Sequence, residues 1–168
     1  MQLKPSTLHL DRRDAVHPCI GVHVAWAGRT LATGQARFGA KPDLVHRDAQ
    51  IVLAEPLDGS TKLTNTNADG NVVLVERGGG PFVEKAMNAQ LAGAIAVVIF
   101  NNVAGGPMKM GAVDAQQADV ATGITVPVVS ISKADGIQLA AAIKAGPTTI
   151  SLQGTCSFSQ VAACYLLH

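Results

Sequence analysis

Between Val72 and Asn102 the chain reads VVLVERGGGPFVEKAMNAQLAGAIAVVIFNN. Four consecutive apolar residues, Val72–Val75, suit a strand covered on both faces. Pro81 fits the first turn of a helix, where its missing N–H is no loss. Phe82, Val83, Ala86, Met87, Ala89 and Leu91 spread over about half of a helical wheel, with Glu84, Lys85 and Asn88 on the other side. Gln90 falls inside the apolar arc, as an edge residue or as a buried amide that needs partners. Gly93 ends the helix, and Ile95–Phe100 returns as a second buried strand. The whole is a β-α-β unit, which demands parallel strands and a right-handed crossover.

A second unit of the same kind follows. Val126–Ile131 reads as a strand, Ser132 as an N-cap with Asp135 three residues on, and residues 133–145 as a helix stopped by Gly146-Pro147. Thr148–Leu152 is a last strand. Upstream, Cys19–Trp26 alternates as a strand. Ala27–Thr30 forms a hairpin turn, Leu31–Gly39 its returning strand, and Ala49–Pro56 another strand, before a polar, turn-rich stretch from Leu57 to Asn71. Residues 1–18 read as an N-terminal arm, 19–154 as one domain and 155–168 as a tail. Asn101–Gly123 has no sustained periodicity and reads as a long loop, a kind of segment that is often functional or mobile.

The composition excludes several classes of function. Hydrophobic residues make up 48% of the 168 residues and charged ones only 15%, which argues for a folded core. Thirteen basic against twelve acidic residues, with no basic run beyond Arg12-Arg13, argue against nucleic-acid binding and a polybasic membrane anchor. The first residues lack the apolar core of a signal peptide, and no apolar run reaches the about 20 residues of a membrane helix. Cys19, Cys156 and Cys164 form neither an even disulfide framework nor a zinc spacing, and read as ordinary thiols, with one bridge between two of them left open.

No catalytic constellation emerges. The junction Arg77-Gly78-Gly79-Gly80-Pro81-Phe82 lacks the third glycine of a dinucleotide fingerprint and the Gly-Lys-Ser/Thr of a P-loop. Pro81 also removes a donor a phosphate would use, so the glycines read as architectural, with a weak anion site as the alternative. There is no Ser elbow. The histidines lie outside the β-α-β units, and His23 reads as a solvent-facing strand residue. Glu55, Asp58 and Asp69 sit where turn chemistry expects them. Cys19 with His17 and His23 is the one grouping from which a small enzyme would be built. No cofactor or metal site is assigned.

Ala36-Arg37-Phe38-Gly39, the Arg77–Phe82 turn, Asn88-Ala89-Gln90, Ala92-Gly93-Ala94, a strand ending in Asn101, and Pro127–Gly136 together resemble the protease-associated (PA) domain family, in order and spacing, over residues of about 20–153. The resemblance implies a mixed α/β fold: a three-layer β/β/α sandwich or barrel with two flanking helices on one side. It implies a non-catalytic module that binds a protein or peptide partner, as accessory, lid or sorting domain of a protease, receptor or ubiquitin ligase. Many members pair a cysteine in the glycine turn with one in the preceding turn-rich stretch. Here those positions are Gly80 and Ser60, so the bridge is absent as a pair. The long loop, emerging beside the carboxyl end of a parallel strand, is the expected contact surface. Its interaction candidates are Asn102, Met108 and Met110, the methionines for their adaptable apolar contact.

Overall fold

The computed structural model describes residues 19–40 and 46–156. Among them the elements run β1 (Cys19–Trp26), β2 (Arg29–Leu31), β3 (Gly34–Gln35), β4 (His46–Leu53), β5 (Val72–Glu76), α1 (Phe82–Leu91), β6 (Ala96–Phe100), α2 (Ala115–Thr122), β7 (Val128–Ile131), α3 (Lys133–Ala145) and β8 (Thr148–Cys156). All strands join one sheet in the order β2-β1-β8-β4-β5-β6-β7-β3. The four strands β4 to β7 are parallel, as the β-α-β pattern requires, and the other pairings are antiparallel.

The sheet is curled, and its connectivity says why. β2 and β3 occupy opposite edges, yet only Ala32 and Thr33 separate them. A flat sheet of this size would hold its edges more than 30 Å apart at about 4.8 Å per strand, whereas three Cα steps reach about 11 Å. The edges must therefore meet. Leu31–Gly39 does not form the single returning strand expected of it. The chain instead leaves β1 after three residues, crosses the seam, and pairs Gly34 and Gln35 with Ser130 and Val129 of β7.

Strand alternation sorts the core into two clusters. Val73, Val75, Val97 and Ile99 pack against Val83, Ala86 and Ala89 of α1. Val72, Leu74, Val98 and Phe100 point the other way, into the space enclosed with Val22, Val24, Ile150 and Leu152, and covered by Leu139 of α3. The helices α1 and α3 thus lie on opposite faces of the parallel strands rather than on one side. Gly136 makes the second packing possible: a Cβ there would lie 2.2 Å from the Cβ of Phe100.

The mixed α/β class holds, with three α-helices among the described residues instead of two. The third, α2, lies inside the stretch read as loop. None of its side chains is fully buried, so no apolar period marks it. Its sign in the sequence is a cap: Asp114 Oδ1 accepts from Gln117 N at 2.8 Å, and Gln117 Nε2 donates to Asp114 Oδ2 at 2.9 Å. The other helix ends follow expectation. Ser132 Oγ accepts from Asp135 N at 3.1 Å. At the end of α1, Ala94 N donates to Ala89 O and Gly93 N to Gln90 O, the Schellman pair. β4 begins at His46 and ends before Pro56, and β8 continues to Cys156, taking in the first two residues of the expected tail. In the β1–β8 register Cys19 stands opposite Cys156. Residues 1–18 and 157–168, with His9, His17, Cys164 and His168, lie outside the described residues.

Candidate functional site

At the carboxyl end of the parallel strands, the turn after β5 is drawn against the segment that follows β4. Lys85 makes the junction. It was expected on the polar side of α1, but its side chain is fully buried, with Nζ donating to the main-chain carbonyls of Asp58 and Gly78. Asn88 Nδ2 donates to Gly59 O at 3.0 Å beside it. The reason lies in the turn itself. Gly79 has φ 70°, and a Cβ on it would sit 2.0 Å from Asp58 Oδ2. The positive φ and the close Asp58 carboxylate favour glycine where the two segments close together, and closure leaves main-chain carbonyls that need a donor. Lys85 supplies it. Burial pushes the Lys85 pKa below its usual range, partly offset by the Asp58 carboxylate. Asp58 is held below the usual carboxylate range by hydrogen bonds from the main chain and hydroxyl of Ser60, with Lys85 a smaller contribution.

This geometry supports the architectural reading of the glycines. A phosphate brought to the turn would meet the Asp58 carboxylate facing Gly79. One strand further on, Asn101 is buried and fully engaged. Its Oδ1 accepts from an Arg77 guanidinium nitrogen at 3.0 Å and from Val103 N at 3.3 Å, and its Nδ2 donates to Gly106 O at 3.2 Å. Asn102 is half-buried, and its carbonyl accepts from Lys133 Nζ at 2.9 Å.

The two methionines anchor the segment they belong to. Met110 is 1% exposed and forms a parallel bridge with Ala36. Met108 is half-buried against the α1 core. Its N–H donates to Ser130 Oγ at 2.9 Å, and that hydroxyl donates back to Met108 O at 2.7 Å. The surface offered to solvent comes instead from Val103, 52% exposed, and Val113, 83% exposed. Gln90, the amide inside the apolar arc, ties the end of the segment to α1. Its Oε1 accepts from Thr125 N at 2.7 Å and Val126 N at 3.2 Å, while its Nε2 donates to Gly123 O at 2.8 Å. Between α2 and the chain following β3 lies an open depression of about 420 Å³, bordered by Arg37, Phe38, Ala112, Ala118 and Ala121.

His23 is exposed, as its place in the alternation of β1 suggests. Among the described residues no three His, Cys, Asp or Glu side chains group as metal ligands, and no helix is long and apolar enough to cross a membrane.

A curled sheet with parallel β-α-β units, a glycine turn closed on the preceding loop, and an Asn-ended strand define a class of small α/β domain. The PA-domain family model matches residues 37–139, and the chain belongs to that family. It is 39% identical over 109 residues to the minor extracellular protease Vpr of Bacillus subtilis, a match covering 64% of this chain and 12% of that protein. It is 36% identical over 136 residues to the probable lipoprotein aminopeptidase LpqL of Mycobacterium tuberculosis, covering 77% of this chain and 25% of that one. Among solved structures, BSAP, a zinc aminopeptidase from Bacillus subtilis, matches with TM-score 0.59 and 26% identity over 79% of this chain and 29% of its own. The aminopeptidase from Aneurinibacillus sp. strain AM-1 shares the fold at TM-score 0.61 and 24% identity, over 82% of this chain and 31% of its own. The chain thus spans a quarter or less of the two curated relatives.

Proposed function

We propose that this chain is a non-catalytic accessory module of a protease, engaging a protein or peptide partner rather than cutting one. The observation that carries the reading is the confinement of the similarity: peptidases resemble this chain over only 12% and 25% of their own lengths. The local chemistry is consistent with it. Lys85, Asp58, Asn101 and Ser130 each hold main chain, which builds a scaffold for surface segments. A chimera tests the reading. The segment of Vpr matched by this chain is replaced by this chain, and the chimera is compared with a Vpr lacking the segment. We expect the chimera to retain turnover of a short peptide substrate and to differ from the deletion in KM for a protein substrate. The isolated chain should leave both substrates intact. Hydrolysis by the isolated chain, lost on substitution of one of its own residues, would overturn the proposal.

A further inference from the structure

The surface carries one feature that the scaffold does not use. The depression beside α2 has walls of methyl size, Ala112, Ala118 and Ala121, with the ring of Phe38 among them. Ala118, Ala121 and Thr122 stand three and four residues apart, so they share one face of α2. Ala118 is exposed, and no side chain of the helix is fully buried. Arg37 stands at the border. Its main chain is fixed by its N–H donating to Met110 O at 2.9 Å, and its stem passes close to Gly111, where a Cβ would lie 3.7 Å from Arg37 Cδ. Among the described residues the side-chain ion pair is Arg29 with Asp135, and no described carboxylate pairs with Arg37. Lys109 adds an exposed positive charge just before Met110. Of the acids on α2, Asp114 is engaged by Gln117, and Asp119 is turned about 100° around the helix from Ala118.

We infer that this depression takes the C-terminal residue of a peptide chain, its aliphatic side chain among the alanines and its free carboxylate on Arg37. The inference rests on the accessory-module reading and names the partner's chemistry. A guanidinium and apolar walls border the same small space, so the occupant must carry an apolar side chain and an anion close together. A C-terminal residue has both on one Cα. The planar fork of arginine pairs a carboxylate through two parallel N–H donors, which favours it over a point charge.

An amide-resolved NMR titration of the chain tests this with three probes: N-acetyl-Ala-Ala-Leu with a free carboxylate, the same peptide as its C-terminal amide, and N-acetyl-Leu-Asp-amide, whose carboxylate is on a side chain. The free acid is expected to shift Gly111, Ala112, Ala118 and Ala121, and to bind at least about tenfold more tightly than either amide. Arg37→Gln should bring the acid down to the level of its amide without altering the amide's own affinity. Ala118→Leu, which fills the depression from an exposed position, should block both, and retained spectral dispersion verifies that each variant folds. Equal binding of acid and amide, tight binding of the Asp amide, shifts confined to Gly78–Gly80, or no shifts at all would each overturn the site. Concentration-dependent shifts without peptide would also overturn it, by making a second copy the occupant. None of these results touches the accessory role, which the chimera decides separately.

Discussion

Replacing Lys85 with methionine separates the two jobs a buried lysine does. Methionine keeps most of the stem in its place in the core, so the packing of α1 changes little. What is lost is the ammonium, which donates to the carbonyls of Asp58 and Gly78. Each hydrogen bond from a charged donor is worth about 1.5–3 kcal/mol, and removing the buried charge returns part of that, because an ammonium held out of water costs several kcal/mol. The expected net loss is about 2–4 kcal/mol, or a fall in Tm of about 5–15 °C for a domain of this size. Urea unfolding followed by far-UV circular dichroism at pH 7 measures it. The pH dependence gives an independent check. The folded state lowers the Lys85 pKa from 10.5, so in the window below 10.5 the unfolded chain binds the proton that the folded chain has released. Stability from this group therefore rises with pH across that window. The stability difference between the native chain and Lys85→Met should widen from pH 8 towards 10.5, since other groups cancel in the comparison. A loss under about 0.5 kcal/mol, the size of an ordinary surface change, or a difference that narrows with rising pH, would refute the clamp.

Four further outcomes follow from the same geometry. Ser60→Ala removes a hydrogen bond that lowers the Asp58 pKa; a ¹³C titration should show that pKa moving up towards 3.8, and because a depressed carboxylate stabilises above its unfolded pKa and loses this as pH falls, acid unfolding should begin at higher pH. Gly136→Ala places a methyl 2.2 Å from Phe100 Cβ and should destabilise by about 1–3 kcal/mol in thermal melts, against a helix-propensity gain of about 1 kcal/mol; unchanged stability would mean α3 is free to slide. Gln90→Leu deletes the acceptor for Thr125 N and Val126 N, and hydrogen exchange at those two amides should accelerate while the α1 amides stay protected. Within Asn101–Gly123 the exposed stretch Ala104–Gly106 should exchange fastest, and Met108, held by Ser130, should be slow; uniform exchange along the segment would count against the anchoring role of Ser130.

The parallel half of the fold was legible because its strands are apolar on both faces and its helices carry their caps and stops in local sequence: Ser132 and Asp135, Gly93, Gly146-Pro147. The antiparallel half was harder. A returning strand over Leu31–Gly39 is the natural reading of a stretch that follows a hairpin turn at Ala27–Thr30, and nothing local says that it breaks at Ala32-Thr33 to close the curl. That break is imposed by the pairing of Gly34 with Ser130, 96 residues away. Lys85 was misplaced for a similar reason. A helical wheel assigns charge to water, and the carbonyls that bury this charge belong to turns that come together only after folding. The PA pattern of paired cysteines did point to the two segments concerned, since Ser60 and the glycine turn meet here: a Cβ on Gly79 would lie 3.4 Å from Ser60 Cβ. Met108 and Met110 stood out as adaptable side chains in a loop, and burial against the α1 core was not readable without knowing that Ala36 runs beside them.

The polar residues of α1 have a consequence for the surface beyond it. Lys85 reaches Asp58 and Gly78, Asn88 reaches Gly59, and Gln90 reaches Gly123, Thr125 and Val126. One helix thus brackets three separate segments by side chain to main chain bonds. α2 depends on this arrangement because it has no fully buried side chain of its own. The Asp114–Gln117 cap secures only the helix's first turn; its position is set by Gln90 at the carboxyl end and by the partial packing of Val120 and Ala121. The depression beside Arg37 is only as well formed as those anchors. Gln90→Leu touches neither Arg37 nor the alanines, yet it should weaken binding of the free-acid peptide while leaving the preference for acid over amide intact. Loss of that preference would mean Gln90 acts on the carboxylate contact itself, and an unchanged affinity would mean that α2 holds its place without it.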